Sequence, residues 1–217
     1  MNITTGPVEA YIDTFYKPLN GALEALRVQA EDEGIPIILK STEMFLLNMI
    51  NIKRPKHILE IGTAVGYSTA CFAEKGNGCS VTSIELDERM YKRAVRNLSD
   101  LNLSERATVI QGDAETVIRE QLAGRKFDFV FIDASKSHYT RFFDVAVTVC
   151  ADGALIISDN VLLSGGTAAD FYVSNRRNMT HVRNMRKYIA YITSLNYADT
   201  SILPIGCGVA VTVLNDG

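Results

Sequence analysis

Residues 57–69 read HILEIGTAVGYST. The run His57–Ile61 is apolar enough for a strand buried on both faces, which is the habit of parallel sheets. Gly62 ends it, and a short helix is expected over 67–75. Gly62 and Gly66 let backbone approach a ligand closely, at a helix N-terminus whose dipole end is positive. A plain tight turn would use the same glycines, so the stretch decides the local form and leaves its purpose open.

Downstream the strand-then-helix alternation repeats. SVTSIE (80–85) is a second strand, followed by a helix over 88–101 with Asp87 as N-cap and Met90, Ala94, Leu98 and Leu101 on its inner face. ATVIQG (107–112) precedes a helix near 114–123. FDFVFID (127–133) precedes one near 138–150. GALIIS (153–158) is the fifth strand, with a long helix expected near 173–195. TSILPI (200–205) and GVAVTVL (208–214) close the chain as a hairpin through Gly206 and Gly208. Alternating units of this kind imply an α/β fold with a parallel sheet and helices on both faces. Ligands then bind at the carboxyl ends of the strands.

Upstream, Ala22, Leu23, Leu26 and Ala30 recur at helical spacing, as do Phe45, Leu46, Met49 and Ile50. Gly34 and Pro36 separate these two helices, and Pro55 ends the prelude. The expected organisation is a single domain over 1–217, with residues 1–55 as a helical extension and 56–217 as the α/β core.

Bulk composition excludes several classes. The net charge of −3 rules out a global polycation. The four cysteines, Cys71, Cys79, Cys150 and Cys207, form no CxxC pair and do not cluster with histidines, against zinc or a disulfide scaffold. No apolar run is long enough to span a bilayer and no secretory leader is evident, so a soluble cytoplasmic protein is expected.

The strand ends carry the chemistry. Glu60, Glu85 and Gly112-Asp113-Ala114 sit at successive tips, and a carboxylate such as Glu85 can accept from both hydroxyls of a ribose. The Gly-x-x-x-Gly spacing differs from the dinucleotide pattern, and no P-loop is present. The fourth strand ends in Asp133 and the fifth in Asp159-Asn160. If these strands are neighbours, roughly 5 Å apart, the three side chains converge. Two carboxylates and an amide oxygen form a hard set suited to Mg²⁺. Each residue alone is more commonly a cap or turn residue. Lys136 beside such a cation can act as a base, since like-charge repulsion favours its neutral form.

LEIGTAVGYST, SIELD, GDA, FIDASK and SDNVL, in this order, resemble class I S-adenosylmethionine-dependent methyltransferases. More narrowly, they resemble the divalent-cation-dependent O-methyltransferases that include the catechol and caffeoyl-CoA enzymes. The resemblance implies a Rossmann-like, seven-stranded, mostly parallel sheet with an antiparallel last strand, and a homodimer. It implies that Ile38, Glu60, Gly62, Gly66, Ser68, Glu85, Asp113, Ala114 and Asp133 bind S-adenosyl-L-methionine. It further implies that Asp133, Asp159 and Asn160 bind Mg²⁺ or another divalent cation, with Lys136 and Asp133 catalytic. The chemistry is self-consistent: a sulfonium methyl is already activated, and the enzyme must supply an oxyanion in line with it.

Segment 171–198 holds no Asp or Glu but carries Arg176, Arg177, Arg183, Arg186 and Lys187. It resembles the insert of bacterial members that methylate 5-hydroxyuridine in tRNA, where adjacent O4 and O5 match the two oxygens of a catechol. Arg176, Arg177 and Arg183 are then expected on phosphates. The alternatives are a solvated helix face or a dimer contact, with a small phenol as acceptor. Tyr67, Tyr139, Phe171 and Tyr172 are candidates for stacking on a base, or for the core. Cys207 stands between Gly206 and Gly208 where many relatives have Asp.

Overall fold

The computed structural model describes residues 6–170 and 179–215. Three helices come first: α1 (Gly6–Asp13), α2 (Gly21–Asp32) and α3 (Lys40–Lys53). The alternating core follows as β1 (His57–Ile61), α4 (Tyr67–Lys75), β2 (Ser80–Glu85), α5 (Glu88–Asp100), β3 (Ala107–Gln111), α6 (Ala114–Gln121), β4 (Phe127–Ile132), α7 (Tyr139–Val147) and β5 (Cys150–Ser158). A 3₁₀ turn at Leu163–Gly165, α8 (Met179–Ile192), β6 (Ala198–Leu203) and β7 (Val209–Leu214) complete it.

All seven strands join one sheet in the order β3-β2-β1-β4-β5-β7-β6. The β1–β2, β1–β4, β2–β3 and β4–β5 pairs are parallel, and β7 runs antiparallel to both β5 and β6. The expected sheet and the adjacency of the fourth and fifth strands are therefore present. The order reverses at β1, between β2 and β4, which is where such sheets open a crevice.

Side chains alternate across the sheet. Ile58, Phe129, Phe131 and Ile157 pack beneath α2, α3, α4 and α5. Leu59, Val130, Ile132 and Ile156 pack beneath α6, α7 and α8. Phe72 of α4 meets Phe131 edge-on at 5.5 Å between ring centroids, a favoured aromatic geometry. The alternation slips once, at a register shift between Phe127 and Phe129. Asp128 lies at that irregularity, and its carboxylate accepts from Lys56 N at 2.8 Å and His57 N at 3.0 Å.

Several boundaries differ from expectation. Cys150 pairs with Phe127, so β5 starts there, and α7 stops at Val147 instead of running to 150. Val149 and Cys150 are buried apolar residues that suit either form, so periodicity could not assign them. β6 stops at Leu203, before Pro204, which has no N–H for the ladder. The expected start of the long helix at 173 lies outside the described residues; its other end falls at Ile192 instead of 195.

Gly62 marks the crossover point. At its φ of +98°, a Cβ would stand 2.1 Å from Asp133 O. The backbone leaving β4 thus passes directly over the end of β1, in a space that a side chain would close.

Candidate active site

A cavity of about 820 Å³ opens at the carboxyl ends of β1, β2, β3 and β4. Of the residues expected there, Ile38, Gly62, Ser68, Glu85, Asp113, Ala114, Asp133 and Lys136 line it. Glu60 and Gly66 do not. Gly66 starts α4 at φ 83°, where an added Cβ would stand 3.2 Å from Ala94 Cβ, so its smallness serves the packing of α4 on α5.

Glu60 is fully buried and accepts from three hydroxyls, those of Ser68, Thr69 and Ser83. Its influence on the cavity is indirect: it fixes Ser68, which does line the wall. Burial drives the Glu60 carboxyl up to about 7, and the three hydroxyl bonds only partly oppose that rise.

Glu85 is held ready by backbone. Its Oε2 accepts from Thr63 N at 3.1 Å and Ala64 N at 2.8 Å, and its Oε1 accepts from Asp87 N at 2.9 Å. These bonds hold it aimed from the tip of β2 into the crevice. Asp113 caps α6, its Oδ1 accepting from Thr116 N at 3.1 Å.

Sequence reasoning missed other lining residues. Thr63, Ala64, Leu86 and Asp87 lie one to three positions past strand ends, so extending the strand-tip rule would have found them. His138 and Phe142, one turn apart at the start of α7, have no local signal; their rings meet at 5.9 Å. Tyr67 also lines the cavity, but as part of a buried network, so it is not free to stack. Its hydroxyl donates to Glu43 Oε2 at 2.7 Å and accepts from Arg27 Nε at 3.1 Å. Arg27 also donates to Glu43 at 2.6 Å and to Ile38 O at 3.0 Å. The Ile38 carbonyl is thereby tied to the buried Arg27.

Asp133 lines the cavity; Asp159 and Asn160 do not, but Asn160 Nδ2 donates to Asp133 Oδ1 at 2.8 Å. Asp159 N donates to Ile132 O at 3.0 Å, which extends the β4–β5 pairing to the ligand candidates themselves. Lys136 Nζ stands 3.6 Å from Asp133 Oδ1. Burial raises both carboxyls above their ordinary range, and the Asp133 charge raises Asp159 further. Two carboxyls placed to repel one another fit a divalent cation, which would reverse that penalty. Rotating the Asn160 amide by half a turn would present its oxygen to the same point. The donor set is two carboxylates and an amide; no cluster of three His, Cys, Asp or Glu side chains occurs among the described residues.

Tyr139 is buried, and its hydroxyl donates to Asp159 O at 2.9 Å, so it belongs to the core. Arg183 is exposed on α8. Arg186 is engaged with protein groups. Arg176, Arg177, Phe171 and Tyr172 lie outside the described residues. No helix among the described residues is long and apolar enough to cross a membrane.

A family model described as O-methyltransferase matches residues 19–214. A catechol O-methyltransferase of Niastella koreensis is 30% identical, covering 90% of this chain and 89% of the relative. A catechol O-methyltransferase of Mycobacterium tuberculosis is 31% identical over 75% of each. A Staphylococcus aureus structure with a provisional caffeoyl-CoA O-methyltransferase assignment superposes with a TM-score of 0.89 at 29% identity, covering 95% of this chain and 99% of that one. The O-methyltransferase from Bacillus cereus, solved in complex with SAH, gives 0.82 at 26% identity over 96% and 97%.

Proposed function

The chain belongs to the O-methyltransferase family, whose chemistry takes a methyl group from S-adenosyl-L-methionine, and we propose that its acceptor is one of two adjacent oxygens held on a divalent cation. The observation that carries this reading is the convergence of Asp133 and Asn160 beside Asp159, with Lys136 at the mouth of the cavity.

In this reading Glu85 holds the ribose hydroxyls, while Asp113 and Ala114 border the adenine. Ile38, Gly62 and Ser68 take the methionine end. Asp133, Asp159 and Asn160 hold Mg²⁺ or a similar cation. Once bound, that cation lowers the pKa of an acceptor hydroxyl and fixes its direction. Lys136 receives the hydroxyl proton. The surrounding wall keeps nucleophile and sulfonium methyl in line, which is the main task left to the protein.

We further propose 5-hydroxyuridine in tRNA as the acceptor. The absence of acidic residues from 171–198 and the exposure of Arg183 and Lys187 on α8 support it. A cytoplasmic location follows from such an acceptor. The homodimer belongs to the same reading: α1 buries none of its residues and exposes Val8 and Tyr11, and Phe15 is exposed just beyond its end. A second reading, a small catechol-like acceptor, is favoured by the catechol O-methyltransferases among its relatives and by the engagement of Arg186 with its own chain. Labelled methyl transfer to tRNA containing 5-hydroxyuridine and to catechol, each over a salt series, separates the two. The tRNA reading predicts efficient labelling of tRNA that falls steeply with salt, because phosphate contacts release counterions. Labelling of catechol alone overturns it.

A further inference from the structure

The loop leaving β5 carries Asp159 and Asn160 and has an unfavourable backbone. Asn160, Leu163 and Ser164 all take positive φ, at 61°, 46° and 53°, without being glycine. Such residues persist only where the surroundings over-determine them. Two neighbours do so. The turn between β6 and β7 accepts from the middle of the loop, Val161 N donating to Gly208 O at 2.9 Å and Leu162 N to Cys207 O at 3.1 Å. Helix α8 holds both ends. Its Tyr188 hydroxyl lies 2.6 Å from Ser158 Oγ, one residue before Asp159. Its Arg186 closes the far end, Nε donating to Thr167 O at 2.8 Å and Nη2 to Gly166 O at 3.1 Å and Asp170 Oδ1 at 2.8 Å.

We infer that Arg186 is a positioning residue for the cation site: its guanidinium clasps the loop carrying Asn160 through Gly166, Thr167 and Asp170, and so sets the affinity for a divalent cation. The inference rests on Asp133, Asp159 and Asn160 being the cation ligands. It separates Arg186 from the exposed cations of the same helix. Their contribution to RNA would be charge, which lysine also supplies. A clasp needs the planar fork of arginine, which a lysine ammonium cannot reproduce.

The test is Mn²⁺ binding to the full chain, followed by the electron paramagnetic resonance signal of free Mn²⁺, for wild type, R186K, R186Q and D170N. S-adenosylhomocysteine affinity is measured calorimetrically in parallel. R186K and R186Q should both weaken Mn²⁺ by on the order of tenfold, the scale on which partners of metal ligands act. D170N removes the charge of one exposed partner and should weaken it less, and it remains informative if R186Q does not fold. S-adenosylhomocysteine affinity should hold in all variants. The inference is overturned if R186K binds Mn²⁺ like wild type, if D170N and R186Q leave Mn²⁺ binding intact, or if both affinities fall together. Wild type that binds no Mn²⁺ would instead remove the cation reading, and the clasp with it.

Discussion

At the scale of single residues, burial sets the chemistry. Glu60 has a folded value of about 7 against an ordinary 4.5, so the folded protein holds this proton more tightly than the unfolded chain. Its contribution to stability is full below the unfolded value and is lost as pH rises toward 7. E60Q removes the titration. The thermal midpoint of E60Q relative to wild type should therefore climb between pH 5 and 7.5, read by scanning fluorimetry in EDTA. A constant offset would show that Glu60 titrates normally. Gly62 permits a sharper comparison. Alanine there meets both a positive φ and the Asp133 carbonyl, whereas alanine at Gly78 meets a positive φ of 78° and open space. The φ penalty alone is about 1–3 kcal/mol, so G62A should lower the midpoint well beyond G78A. Equal losses would mean that the chain crosses Gly62 less closely than described. The motif residues were legible because each sits at a strand tip. The burial of Glu60 was not, since a carboxylate at such a tip looks the same in sequence whether it faces ligand or hydroxyls.

At the scale of elements, α2, α3 and α4 are joined by a charge network that no local pattern announces. Arg27 is 3% exposed and Glu43 1%. No sequence pattern marks the pair, because Arg27 meets Glu43 and Ile38, and Glu43 meets Tyr67, across 11 to 24 residues of chain. R27M would leave Glu43 buried with only the Tyr16 and Tyr67 hydroxyls to satisfy it. That should cost about 3–5 kcal/mol in urea unfolding, with the double variant R27M/E43M recovering much of it. A loss below about 1 kcal/mol would show that the pair is not desolvated as placed. Strand boundaries were legible where Gly or Asp ends an apolar run, as at Gly62 and Asp133. They were not at Val149–Cys150, where an apolar helix end runs into an apolar strand start.

At the scale of the whole molecule, sheet order turns scattered residues into a site. Placing β4 beside both β1 and β5 brings Asp133 over Gly62 on one side and against Asn160 on the other. The alternation of strands and helices made that adjacency foreseeable, and the site followed from it. The clasp on the post-β5 loop was hidden, because Arg186 belongs to a basic run that reads as surface charge until the carbonyls it binds are seen. The central claim is that this arrangement performs methyl transfer through a bound cation. Its most direct test is transfer of a labelled methyl group from S-adenosyl-L-methionine to an acceptor with adjacent oxygens, in Mg²⁺ and in EDTA, for wild type and D159N. Activity in wild type with Mg²⁺, abolished by EDTA, restored by added Mg²⁺ and lost in D159N is the predicted result. Undiminished transfer in EDTA, or a D159N enzyme as active as wild type, would contradict it.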